Sequence, residues 1–176
     1  CARPSVPFGR AGAKPCAADG RRRAVVSLPT GGGKTRVVVQ AAVDLILTPL
    51  NDNRSALWIA QTDELCEQAV QAFRQVWINR GSPATPLRIV RLWGGNPNPE
   101  PSERSQPVVV VASIQTLNNR IDDPRLAWLS KPGIMLVDEC HHVMADSYQG
   151  PLNYFLEGGC HVLGVTATPG TKGKKA

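Results

Sequence analysis

Six short apolar runs recur along this sequence, and segments of helical character lie between the earlier ones. The runs, which we predict to be strands, are residues 24–28, 56–60, 87–92, 108–111, 134–138 and 161–165. Most of them are continuously apolar, as strands buried on both faces of a parallel sheet are. The alternation therefore predicts an α/β fold built on a parallel sheet.

Two of the intervening segments, residues 34–47 and 62–78, are predicted helices. The first is apolar nearly all round and ends before Thr48-Pro49. The second has Thr62 as its predicted N-cap, with Asp63 and Glu64 in the first turn. A Gly-Ser-Pro sequence at 81–83 is expected to stop it.

The length of 176 residues and the 42% hydrophobic content predict one domain with a real core. We place this domain at residues 21–170, after a poorly ordered segment 1–20 and before a basic tail 171–176. Residues 94–107 are rich in Gly, Pro and Ser, which predicts a surface loop inside the domain.

The net charge of +6 is concentrated at the two ends of the chain. Residues 1–36 carry +7 and the tail carries +3, so residues 37–171 carry −4. Solvated termini explain this pattern as well as phosphate contacts do, so the total charge says little about nucleic-acid binding.

The sequence has no apolar run long enough, at roughly 18 residues, to cross a membrane. Its basic start also lacks the apolar segment of a secretory signal, so we expect a soluble, cytoplasmic protein. The five scattered cysteines contain no CxxC pair and are expected to be free thiols. A zinc site could be assembled only from residues whose spacing matches no common zinc pattern, namely Cys140, His142, Cys160 and His161.

The stretch "SLPTGGGKTRVVV" combines a predicted strand, a glycine-rich turn and a predicted helix. Backbone amides of such a turn and of the helix N-terminus converge on one anion. A lysine can then reach the β and γ phosphates, and a hydroxyl can bind Mg²⁺. Residues that fit these roles are Pro29, Thr30, Gly31, Gly32, Gly33, Lys34 and Thr35. The usual loop pattern also requires glycine at position 28, where this chain has leucine.

A second motif, "GIMLVDECHH", brings two acids to the carboxyl end of a predicted strand, where ligands of open parallel sheets bind. In a phosphate-loop enzyme Asp138 would hold Mg²⁺, and Glu139 would orient and deprotonate the attacking water. A solvated strand end remains the alternative for this motif alone.

The motifs "LPTGGGKT", "VDECHH" and "GVTATP", in this order, resemble motifs I, II and III of superfamily 2 DExH-box helicases and translocases. "WIAQTDELCEQ" is similar to motif Ia, and "VVVASIQTL" to the nucleic-acid-contacting motif that follows it. The resemblance covers residues 24–169 and is nearest to bacterial helicases akin to type III restriction motor subunits. In that group a residue other than glycine often opens motif I.

The resemblance implies a three-layer RecA-like P-loop domain that uses ATP and Mg²⁺. It implies that His141 couples nucleotide state to nucleic-acid binding, and that Thr166 and Thr168 connect hydrolysis to strand movement. Five residues are implied to lie along the phosphate backbone of one strand: Gln61, Thr62, Ser113, Gln115 and Thr116. Helix capping is the ordinary alternative for Thr62 and Ser113. DNA is favoured over RNA as the partner.

Helicases of this group have a second RecA-like domain, which supplies arginine fingers, and only "GTKGKKA" follows motif III here. We therefore expect an isolated first motor domain that hydrolyses ATP very slowly, since an arginine finger is worth on the order of 10³ to 10⁵ in turnover. The alternative is a catalytically inactive, truncated nucleic-acid-binding remnant. A small-molecule kinase would predict a lid and no DExH-like box, and the sequence has the reverse.

Overall fold

The computed structural model describes residues 23–27, 33–47, 55–80, 86–101, 106–140, 146–157 and 160–166. The strands are β1 (Arg23–Ser27), β2 (Ser55–Ala60), β3 (Arg88–Leu92), β4 (Val108–Ser113), β5 (Ile134–Val137) and β6 (His161–Thr166). The helices are α1 (Lys34–Leu47), α2 (Asp63–Arg80), α3 (Ile114–Arg120) and α4 (Asp146–Glu157), with a 3-10 helix at Pro124–Leu129. The segments predicted to flank the domain, 1–20 and 171–176, lie outside the described residues.

The strands form one sheet in the order β1-β6-β5-β2-β4-β3, and every described pair is parallel. All residues of β4 and β5 are buried, because these strands lie inside the sheet and are covered on both faces. The prediction of a mainly parallel sheet with continuously apolar strands is therefore confirmed.

Helices cover both faces of the sheet and produce three layers. On one face α1 and α2 contribute Val39, Val43 and Phe73 to the core. The ring of Phe73 meets that of Trp58, on β2, edge to face at a centroid distance of 6.0 Å. On the other face the core includes Leu117, Tyr148 and Phe155, which lie on α3 and α4.

The two predicted helices are confirmed, with a small shift for the second. The bounds of α1 agree with the prediction, whereas α2 starts at Asp63 and continues to Arg80, two residues beyond the predicted end. Thr62 caps α2 as expected, since its Oγ1 accepts a hydrogen bond of 3.3 Å from the Leu65 amide. The predicted stop at 81–83 lies outside the described residues.

The helices α3 and α4 were not predicted. Gly150 and Pro151 lie inside α4, and both residue types disfavour a helix interior. Burial of three apolar side chains on one face, Tyr148, Leu152 and Phe155, overrides this local preference.

The predicted surface loop is described at 94–101 and 106–107. Arg120, at the end of α3, holds its first part by donating to the carbonyls of Asn96 at 2.7 Å and Gly94 at 3.1 Å. Arg88 donates to the carbonyl of Glu100 at 2.9 Å. The loop is therefore fastened to the domain by arginine side chains.

No helix among the described segments has the length and apolar character required to span a bilayer. The cysteines at 66, 140 and 160 are free thiols, and Cys1 and Cys16 lie outside the described residues.

Candidate nucleotide site

The predicted site residues that the structure describes lie near the carboxyl edge of the sheet. In the strand register Ser27 lies beside Thr166, Ile59 beside Val137, and Ala60 beside Ser113. These pairs are at or next to the carboxyl ends of β1, β6, β2, β5 and β4. Because the strands are parallel, the segments that follow them emerge on one side of the domain, where open α/β sheets bind ligands.

The predicted phosphate loop consists of residues 29–35. The structure describes it from Gly33 onwards, where it leads into α1. Gly33 has φ +69°, a left-handed conformation that favours glycine, and its carbonyl accepts a 3.0 Å hydrogen bond from the Val37 amide. Lys34 and Thr35 follow in the first turn, and both are half-buried. The first turn contains no acidic residue, so its amides can meet an anion without competition from a carboxylate of their own helix. Four predicted phosphate-binding residues lie outside the described residues: Pro29, Thr30, Gly31 and Gly32.

Asp138 and Glu139 lie in a tight turn directly after β5, which we call the acid turn. Asp138 is 8% exposed, and its amide donates to the Ile59 carbonyl at 2.9 Å, which ties the turn to β2. Its Oδ1 accepts a 2.9 Å hydrogen bond from the Glu139 amide. Glu139 has φ +46°, a conformation that a non-glycine residue adopts only at some cost in free energy.

The electrostatics of this turn favour a bound cation. Burial raises the pKa of Asp138, and the neighbouring Glu139 raises it further, whereas the hydrogen bond from the Glu139 amide and the charge of Lys34 lower it. A buried carboxylate in this situation is stabilised by positive charge, as Mg²⁺ would provide. The Asp138 carboxylate and the Thr35 hydroxyl are oxygen ligands of the type that Mg²⁺ prefers. The donor set therefore fits this metal.

One contact joins the phosphate loop to the acid turn. Lys34 Nζ lies 3.3 Å from Glu139 Oε1, and the two side chains are 14% and 29% exposed. The two motifs, about a hundred residues apart in the sequence, are thus in contact in the fold.

Other predicted positions are distributed between the buried interior and the surface. Thr166 is buried at the end of β6, whereas His141 and Thr168 lie outside the described residues. Thr62 and Gln115 are exposed, and Gln61 is half-buried.

Ser113 and Thr116 are buried and bonded to each other. The Ser113 hydroxyl donates to Thr116 Oγ1 at 2.9 Å and accepts from the Thr116 amide at 3.3 Å, so Ser113 is the N-cap of α3. Their side chains therefore stabilise the N-terminus of α3. Of Ser113, Gln115 and Thr116, Gln115 is the residue with an exposed side chain.

A groove of about 790 Å³ lies beside the phosphate loop, between α1 and α2. Its α2 wall is a polar face that the sequence analysis did not assign to the site. The helical spacing of these polar residues is the signal that could have identified them. They are Glu64, Glu67, Gln68, Gln71 and Gln75.

Similarity to known proteins bears on the family and the fold of this chain. A family model described as "Type III restriction enzyme, res subunit" matches residues 10–171. A search of curated proteins gave no match.

Three solved structures illustrate the similarity in fold. The Hef helicase domain of Pyrococcus furiosus aligns with TM-score 0.64 and 24% identity, over 84% of this chain and 30% of that one. A DEAD box protein from the hyperthermophile Methanococcus jannaschii aligns with TM-score 0.58 and 19% identity, over 82% and 39%. A nuclease-deletion mutant of the type ISP restriction-modification enzyme LlaGI, solved with a DNA substrate mimic, aligns with TM-score 0.56 and 11% identity, over 82% and 15%.

At these identities the structural matches show the fold alone, and this chain spans between 15% and 39% of the matched chains. The family match extends over most of the sequence. The chain therefore belongs to the type III restriction enzyme res subunit family, and its fold is that of the first RecA-like domain of superfamily 2 helicases.

Proposed function

We propose that this chain is an ATP-binding and ATP-hydrolysing motor domain of a superfamily 2 helicase or translocase acting on nucleic acid, with DNA favoured over RNA. The observation that carries the proposal is the 3.3 Å contact between Lys34 and Glu139, because it brings the phosphate loop to the acid pair. Membership of the family supports it.

In this proposal the amides of the α1 N-terminus and the Lys34 ammonium bind the terminal phosphates of ATP. The Thr35 hydroxyl and the Asp138 carboxylate would hold Mg²⁺, which when bound would neutralise charge on the phosphate oxygens. Lys34 exchanges its contact with Glu139 for the phosphates. The Glu139 carboxylate then orients the attacking water and accepts its proton.

The nucleic-acid track would run along the carboxyl edge of β2 and β4. The exposed side chains of Thr62 and Gln115, with the half-buried Gln61, offer polar groups to a phosphate backbone. Ser113 and Thr116 would act indirectly, by fixing the start of α3 beside this track, because their hydroxyls bond to each other and the Thr116 amide donates to Ser113. Contacts of this type position a strand without reading its sequence. We assign coupling between the two sites to His141, Thr166 and Thr168.

A second RecA-like domain would complete the motor. Its arginine finger is worth on the order of 10³ to 10⁵ in turnover, so we propose that this chain alone binds nucleotide and turns it over slowly. Translocation requires two domains that open and close on one strand, so unwinding by this chain alone is not expected.

The test measures Mg²⁺-dependent binding of a fluorescent ATP analogue to the wild-type chain and to Lys34→Ala. The matched control is Lys131→Ala, an exposed lysine that precedes β5 and so lies at the amino edge of the sheet. We expect Lys34→Ala to weaken binding at least about tenfold, a free-energy change of about 1.4 kcal/mol, and the control to bind like the wild type. Equal binding by all three proteins would refute the assignment of the loop.

Single-turnover hydrolysis, with and without single-stranded DNA or RNA, separates the active motor from an inactive remnant. Slow turnover that nucleic acid changes supports the motor. Binding of nucleic acid without any hydrolysis supports the remnant.

A further inference from the structure

Gly164, in the middle of β6, lies directly against the acid turn. In the sheet register it pairs with Val137, the last residue of β5 before the turn. A Cβ atom built at position 164 would lie 2.8 Å from Cys140 Sγ and 2.9 Å from Cys140 Cβ. Both separations are shorter than real carbon contacts allow, so glycine is required here for close approach rather than for a turn.

The two Cys140 atoms leave little room for a Cβ atom at position 164. A Cys140 Sγ atom can rotate away, but Cβ is attached to the backbone and moves only with it. The other neighbour within reach, a methyl group of Val25, would be 3.5 Å away, which is an ordinary contact. A side chain at position 164 would therefore push the backbone of Cys140.

Cys140 directly follows Glu139 in the chain, and the backbone of Glu139 has φ +46°. The turn is also held by the Asp138 amide, which donates to Ile59 of β2, and by the Glu139 carboxylate, which contacts Lys34 of α1. Such a conformation persists only where its surroundings hold it. The packing of Cys140 on Gly164 holds the turn from the side of β6.

We propose that Gly164 is a positioning residue for Glu139. Its missing side chain lets Cys140 lie against β6, and this packing places the Glu139 carboxylate at Lys34. The kinetic part of this inference rests on the proposed ATP hydrolysis, whereas the structural part does not.

The structural test is a crystal structure of Gly164→Ala compared with one of the wild-type chain. We expect Cys140 to be displaced and the separation of Lys34 Nζ and Glu139 Oε1 to exceed the 3.3 Å found here. Gly150→Ala is the matched control, because a Cβ there would meet only Asn118 Oδ1 at 3.8 Å. An unchanged acid turn in Gly164→Ala would overturn the inference, whether or not the chain hydrolyses ATP.

The kinetic test compares wild type, Gly164→Ala, Cys140→Gly and the double variant in single-turnover hydrolysis, with nucleotide affinity measured in parallel. We expect Gly164→Ala to lower the hydrolysis rate at least about tenfold and to change affinity less than about twofold, because Glu139 acts on water rather than on the phosphates. Cys140→Gly removes both crowded atoms, so the double variant should recover the rate of Cys140→Gly alone.

A double variant as slow as Gly164→Ala would overturn the kinetic part, because the loss would then not arise from the Cys140 contact. A loss of affinity equal to the loss of rate would also contradict it, since that pattern indicates general disruption. If the wild type itself fails to hydrolyse ATP, the proposed function fails, and the crystal structures alone decide the positioning role.

Discussion

Lys34 Nζ at the start of α1 and Glu139 Oε1 after β5 lie 3.3 Å apart, although the two residues are 105 positions apart in the sequence. The contact is made by the residue proposed to bind phosphate and the residue proposed to activate water. The two opposite charges therefore pair with each other. Binding of ATP would redirect Lys34 to the phosphates and leave the carboxylate facing the reaction centre.

Replacement of Glu139 by glutamine tests this relationship. We expect Glu139→Gln to lower single-turnover hydrolysis about 10² to 10⁴-fold, because glutamine cannot accept the proton of water. The unfolding free energy should fall by less than about 1 kcal/mol, as is usual for an ion pair with partly exposed partners.

The control for this prediction is Asp44→Asn, which removes an exposed ion pair with Arg80 away from the site. It should leave hydrolysis unchanged. Equal rates for Glu139→Gln and the wild type would exclude Glu139 as the base.

Replacement of Asp138 by asparagine should stabilise the fold at neutral pH. Burial raises the pKa of Asp138 above its ordinary value of 3.8, so the folded state disfavours the ionised carboxylate. The folded protein binds this proton more tightly than the unfolded chain, and stability falls as pH rises from 3.8 through the raised pKa. Asparagine avoids this penalty and still accepts a hydrogen bond from the Glu139 amide.

Urea unfolding at several pH values measures this effect. The gain from Asp138→Asn should be largest at neutral pH and disappear below the ordinary range of aspartate, near pH 4. Asp122→Asn, at an exposed position, is the control and should change stability little at any pH. An Asp138→Asn variant less stable than the wild type at pH 7 would show that the ionised carboxylate stabilises the fold.

Ser113→Ala removes the cap of α3. We expect the unfolding free energy to fall by about 1 kcal/mol, the usual cost of losing a serine N-cap. Ser130→Ala is the matched control, because the Ser130 bond to the Ala127 carbonyl is made by the backbone amide. If Ser113→Ala leaves stability unchanged but weakens nucleic-acid binding, the hydroxyl contacts the ligand and the capping role is secondary.

Tyr148→Phe tests a buried hydroxyl on α4. Tyr148 is 1% exposed, and within the described part of the chain its hydroxyl makes no hydrogen bond of good geometry. Burial raises the pKa of Tyr148 to about 12, the Gln61 side chain lowers it, and the Asp138 carboxylate raises it. Tyr148→Phe removes a desolvated hydroxyl that has no strong partner. The unfolding free energy of the variant should therefore equal that of the wild type or exceed it by up to about 1 to 3 kcal/mol.

Thermal unfolding measures the effect of Tyr148→Phe. Tyr154→Phe is the control, because the Tyr154 side chain is 36% exposed. The control should differ from the wild type by less than about 0.5 kcal/mol. A loss of more than about 1 kcal/mol in Tyr148→Phe would mean that Gln61 forms a full hydrogen bond with the hydroxyl.

The sequence by itself determined the positions of the strands, the bounds of α1, the Thr62 cap of α2 and the two motifs around Lys34 and Asp138. These features depend on residues close together in the chain, such as an apolar run, a glycine before a helix or a hydroxyl at a helix start. The family motifs also identified the RecA-like fold, because their order along the chain is specific.

The tertiary structure decided what depends on strand order and packing. The contact of Lys34 with Glu139 exists because the sheet places β1, β6 and β5 side by side. Helix α4 forms despite Pro151 because burial of its apolar face outweighs local propensity. The need for glycine at 164 arises from Cys140, which lies 24 positions away in the chain but directly beside it in the fold. Contacts between distant residues leave no local pattern, so only the folded chain reveals them.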